Sequence, residues 1–99
     1  MVLPAALAAC GGDCASLSGE EQANCAFEAI AQQVEAGRLD EAEAGIAALP
    51  DQLAREFVRL RLAIRHPEQA ARWCAAVTEE PARGQCDKLL GRPHLRRAP

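Results

Sequence analysis

The sequence predicts an all-α fold: about five short antiparallel helices arranged as stacked helical hairpins and stapled by two local disulfides. Three observations point there. Apolar residues make up 49% of the chain but aromatics only 3%, so the hydrophobic total is mostly alanine and leucine, and alanine carries the lowest helical cost of any residue. Apolar positions recur at helical spacing, and no segment alternates as a strand would. Ninety-nine residues with small side chains bury little area, and a thin core calls for a staple, which five cysteines can supply.

The first helix is expected from about Gly19 to Ala36, with Ala23, Phe27, Ile30, Ala31 and Val34 on one face and Gly37 as its stop. Ser18 and Glu21 have the spacing of a capping box at its start. A short second helix follows, about Asp40 to Leu49, with Asp40 and Glu43 as a second box and Pro50 ending it. The third, about Asp51 to Arg65, carries one stripe of Leu53, Phe57, Leu60 and Ile64, while Val58 and Leu62 begin another. A helix apolar on more than one side sits centrally. The fourth starts at Pro67, which suits a first helical position, and carries Ala70, Trp73, Cys74 and Val77. The fifth, about Glu79 to Leu90, presents Leu89 and Leu90. The division expected is residues 1–9, a tether over 10–17, a helical domain over 18–91 and an irregular basic tail over 92–99.

Leu7-Ala8-Ala9-Cys10 closes the apolar run "VLPAALAA". These residues resemble the lipobox of bacterial lipoproteins, in which the cysteine is lipidated and becomes the first residue of the mature protein. The resemblance covers the first dozen residues. It implies that residues 1–9 are the remnant of a signal, that Cys10 carries the anchor (palmitate among its acyl groups), and that "GGDCASLSG" is the tether behind it. It also implies a cell-envelope location, and Gly11 in place of an aspartate favours the outer membrane's periplasmic face or the cell surface over the inner membrane.

Setting Cys10 aside leaves Cys14, Cys25, Cys74 and Cys86, an even number suited to an oxidising compartment. Three pairings are possible. The segments "CASLSGEEQANC" and "CAAVTEEPARGQC" resemble each other, each with a Cys-Ala start, a hydroxyl residue suited to a cap, glutamates, and a cysteine inside the helix that follows. This likeness favours Cys14–Cys25 and Cys74–Cys86.

"GRLDEAEAGIAALP", with Gly37, Ala42 and Ile46, and "HPEQAARWCAAV", with Ala70, Cys74 and Val77, are similar to the second half of a tetratricopeptide repeat. The two units lie 28 residues apart, and the family's first-helix signature is absent. The resemblance covers about a third of the chain and implies a non-enzymatic, protein-binding scaffold. Its expected partner is another envelope protein. Val58 and Leu62 are the expected contacts, with Arg55 and Arg59 beside them.

Residues 1–50 hold eight acidic side chains against the single Arg38, and residues 51–99 hold six against ten Lys/Arg. The simplest expectation is that the two halves pack together through these charges. A nucleic-acid surface is not expected, because aromatics for stacking are few and the arginines are interleaved with glutamates. Contact with the membrane is expected through the lipid anchor only. Catalysis is not expected: no Gly-x-Ser-x-Gly, His-Glu-x-x-His or Gly-rich phosphate loop is present, and no cofactor is implied. Glu20, Glu21, Glu79 and Glu80 are first-turn residues favoured by the helix dipole. The sharper alternative is a soluble metal or thiol protein in which His66, Cys74, Cys86 and His94 supply a Cys2His2 ligand set, although the short Cys-x2-4-Cys step of a zinc finger is missing. A cytosolic helical regulatory module is the third reading.

Overall fold

The computed structural model describes residues 14–91. Among them every regular element is helical: α1 (Gly19–Glu35), α2 (Leu39–Ala47), α3 (Gln52–Arg65), a 3-10 turn (Pro67–Gln69), α4 (Ala70–Cys74) and α5 (Ala82–Leu89). The chain divides after Val58 into two compact units, where a single helical domain was expected. The division falls within α3. Residues 1–9, residues 10–13 of the expected tether and the tail 92–99 lie outside the described residues.

In the first unit, α1 buries Ala23, Ala26, Phe27, Ile30, Ala31 and Val34, the predicted face with Ala26 added. Its C-terminus closes as predicted. Gly37 adopts φ +82°, a conformation that costs glycine little. This lets the Arg38 N–H reach the Gln33 carbonyl at 2.8 Å and the Gly37 N–H reach that of Val34 at 3.0 Å, so the last turn's carbonyls are satisfied. The short turn folds α2 back against α1, burying Ala42 and Ile46.

The expected capping boxes do not form. Ser18 precedes α1 in extended conformation without a side-chain cap bond, and α2 starts one residue before Asp40, with Arg38 at the cap position and no side-chain bond there either. The cap of α1 comes instead from Asp51, 32 residues away. The Gly19 N–H donates to Asp51 Oδ2 at 2.6 Å, while Oδ1 of the same carboxylate accepts the Leu53 N–H at 3.0 Å and caps α3. One carboxylate thus holds two helix starts. Gly19 has φ +55° there, and a Cβ would meet only Leu53 Cδ2 at an ordinary 3.8 Å, so backbone conformation rather than space selects glycine.

Gln22 completes this junction. Its side chain is fully buried, its amide NH2 donates to the carbonyls of Cys14 (3.0 Å) and Leu17 (2.6 Å), and its Oε1 accepts the Asp51 N–H at 3.2 Å. Residues 14–17, expected as part of a flexible tether, are therefore pinned to α1. The expected tether is left with residues 10–13.

Helix α3 is apolar on several sides, as predicted, and both stripes contribute to burial. Ala54, Val58, Leu62 and Ala63 are wholly buried and Leu60 is 9% exposed, whereas Leu53 is 40% and Ile64 56% exposed. Ala54, Val58 and Leu62 fall at four-residue spacing on one face. Glu56 is also buried, and its Oε2 accepts from Gln52 Nε2 at 3.3 Å.

In the second unit, Pro67 opens a 3-10 turn, as its position suggested, and α4 occupies only Ala70–Cys74. Trp73 is fully buried and donates from Nε1 to Gln69 Oε1 at 3.0 Å, with the Arg72 guanidinium 5.2 Å from the ring centroid. Helix α5 starts at Ala82, later than expected, after a turn containing a cis Glu80–Pro81 peptide. It buries Ala82 and Cys86, and Leu89 is 40% exposed rather than core.

Two outcomes test the junction. Gln22→Ala removes three hydrogen bonds, and the Cys14 carbonyl keeps only the Leu17 N–H at 3.0 Å, so urea denaturation should show a loss of about 1–3 kcal/mol. The Asp51 carboxyl is held below its ordinary value of 3.8, first by the Gly19 N–H, then by the Leu53 and Ala54 N–H groups and Arg55, against desolvation acting upward. Because the folded-state pKa is the lower one, the stabilisation is present at neutral pH and is lost as pH falls below 3.8 toward the folded value. Thermal melts across this window should show wild type above Asp51→Asn at neutral pH, with the difference closing in acid.

Candidate functional site

Both disulfides form as predicted. Cys14 and Cys25 have Cα atoms 5.5 Å apart, and Cys74 and Cys86 5.8 Å, within the range that a disulfide spans. The first ties the segment preceding α1 to that helix's second turn. The second ties the end of α4 to the second turn of α5. Cys14, Cys74 and Cys86 are buried.

This pairing removes the metal reading. A zinc ligand must be a free thiolate, and the sulfurs of Cys74 and Cys86 are bonded to each other. His66 lies with Nδ1 3.9 Å from Glu68 Oε2, and His94 is outside the described residues. No cluster of three or more metal-ligating side chains occurs among the described residues.

Of the four residues expected to meet a partner, Val58 and Leu62 turn inward, and Arg55 and Arg59 are half-buried. Val58 and Leu62 are fully buried, so they cannot form a docking face. Arg55 Nη1 donates to the Leu49 carbonyl at 2.6 Å, securing the end of α2, and Arg59 Nη1 donates to the Trp73 carbonyl at 3.4 Å. Both guanidinium heads thus bind backbone carbonyls.

Among the described residues, an open groove lies beside the disulfide in each unit. In the first unit, a cleft of about 260 Å³ is bounded by Cys14, Ala26, Ala29 and Ile30 on one side and Gly45 and Ala48 on the other. Gln33 is the only polar side chain among those lining it. The cleft is shallow because the helices approach closely at Gly45, where a Cβ would come within 3.2 Å of Ile30 Cγ1. Its walls offer apolar contact and no nucleophile, so its chemistry is that of a binding surface. In the second unit, a groove of about 610 Å³ runs past Cys74 and Cys86 and is edged by Thr78, Arg83, Asp87 and Leu90. Here the rim is polar, with both signs of charge.

Neither groove was anticipated. The signal for the first was the run of small residues at Ala26, Ala29, Gly45 and Ala48, which also reads as plain helix-forming composition. No protein-family pattern, characterised protein or solved structure matches the chain. Among the described residues, no helix is long and apolar enough to cross a membrane.

The disulfides close loops of 11 and 12 residues. In the chain-entropy account each stabilises by about 3 kcal/mol. Replacing Cys14 and Cys25 together by alanine, or Cys74 and Cys86 together, should lower stability by about that amount, measured by denaturant titration against the oxidised wild type.

Proposed function

We propose that the protein is a non-enzymatic lipoprotein of the bacterial cell envelope, anchored through Cys10, whose helical-hairpin module binds another envelope protein. The observation that carries this reading is the pairing of the cysteines. Four of the five are consumed in two local disulfides, which fits an oxidising compartment. The fifth is Cys10, the one preceded by Leu7-Ala8-Ala9. Lipidation also removes a difficulty, because a free Cys10 thiol four residues from Cys14 would compete for Cys25 by thiol–disulfide exchange.

The scaffold role rests on the architecture. Helices α1 and α2 form a hairpin of the kind the tetratricopeptide resemblance implies, and the apolar cleft between them replaces Val58 and Leu62 as the surface for a partner. The cleft's lining is apolar apart from Gln33, which suits a partner that presents an apolar segment. The outer membrane's periplasmic face or the cell surface is the location this reading favours, with the membrane met through the anchor alone.

The intact mass of the protein from its native host, alkylated before reduction, tests the reading. A chain beginning at an acylated Cys10 with no alkylated thiol is expected. A chain retaining Met1 with an alkylated, unacylated Cys10 would overturn it.

A further inference from the structure

We infer that the groove of the second unit seats a second copy of this chain, in a twofold dimer built on α5. The inference goes beyond the proposed function, because it concerns the other unit and requires neither the anchor nor a partner of different sequence. Charge placement selects the occupant. Arg83 and Asp87 both edge the groove and stand four residues apart on α5. They therefore project from one face of that helix, about 6 Å apart along its axis. Arg83 is exposed and Asp87 half-buried. The groove face of α5 is thus positive near the start of the helix and negative near its end.

Such a face is complementary to itself when reversed. Two α5 helices packed antiparallel, with the twofold axis midway between these residues, set Arg83 of each copy against Asp87 of the other. A twofold interface repeats every contact, so both pairs are satisfied at once. A parallel arrangement would set Arg83 against Arg83 and Asp87 against Asp87, and juxtaposed like charges oppose association. The rest of the groove suits a helix as its occupant. Ala71 and Ala75, on the α4 side, are exposed and present only methyl groups, so an incoming backbone can approach closely. Leu90, three residues beyond Asp87, adds apolar surface. The bond between Cys74 and Cys86 ties the α4 side to α5 and holds the groove in shape before a copy arrives, which lowers the conformational cost of docking. Exposed ion pairs contribute little attraction by themselves. The apolar contacts supply the attraction, and the charges fix the direction in which the two helices run.

Sedimentation equilibrium over a concentration series tests this, on the 99-residue chain carrying Cys10→Ser so that no copies are joined through that thiol. The parent should pass from monomer to dimer as concentration rises. Arg83→Asp and Asp87→Arg, each alone, make both pairs repulsive and should raise the dissociation constant about tenfold or more. The double variant, with the two charges exchanged, should dimerise like the parent. Mixed in equal amounts, the two single variants should form a heterodimer, since one copy then carries two acids and the other two arginines. A second measurement needs no charge variant: the methyl resonances of Ala71 and Ala75 should move with protein concentration, while those of Ala29 and Ala48 in the first unit stay where they are. A parent that remains monomeric, a dimer indifferent to both single variants, or folded single variants that stay apart when mixed would overturn the inference. So would concentration-dependent shifts at Ala29 and Ala48 with none at Ala71 and Ala75.

Discussion

The first unit depends on one carboxylate and one amide meeting across its interior. Asp51 supplies the cap that α1 lacks locally and the cap that α3 needs, with its two oxygens divided between them. Gln22, buried beneath, ties the same backbone to the segment carrying Cys14. Helix N-termini leave their first N–H groups without partners, and a small alanine-rich core has little free energy with which to offset that loss. Three segments are thereby joined by polar bonds at this point. The first disulfide joins two of the same segments, so the covalent and the hydrogen-bonded constraints act on one corner.

The arginines of α3 follow the same economy. The guanidinium groups of Arg55 and Arg59 satisfy carbonyls at the ends of neighbouring elements. Half-buried arginines that look like a surface on a helical wheel thus contribute to the scaffold. Open space remains where side chains are small, beside Gly45 and the alanines near it.

Local features were legible in the sequence and remote ones were not. The helix ends at Gly37 and Pro50, the α1 face and both disulfide pairings depend on residues within a dozen positions of each other, and each came out as expected. The cap at Gly19 did not, because its acceptor is 32 residues distant and Ser18 offered a plausible substitute nearby. The exposure of Leu53 and Ile64 on α3 was not legible either, because residue type alone does not say which of two apolar stripes meets the core. The cleft escaped notice because alanine at helical spacing signals both a good helix and a place where nothing fills the groove.

The short spans of the disulfides have a consequence for biogenesis. A chain that emerges N-terminus first presents Cys14 and Cys25 long before Cys74, so the first bond can close before the second pair appears. Where Cys10 is blocked, Cys74 and Cys86 then meet no earlier open thiol. Oxidation in order of appearance under that condition yields the native pairing without reshuffling.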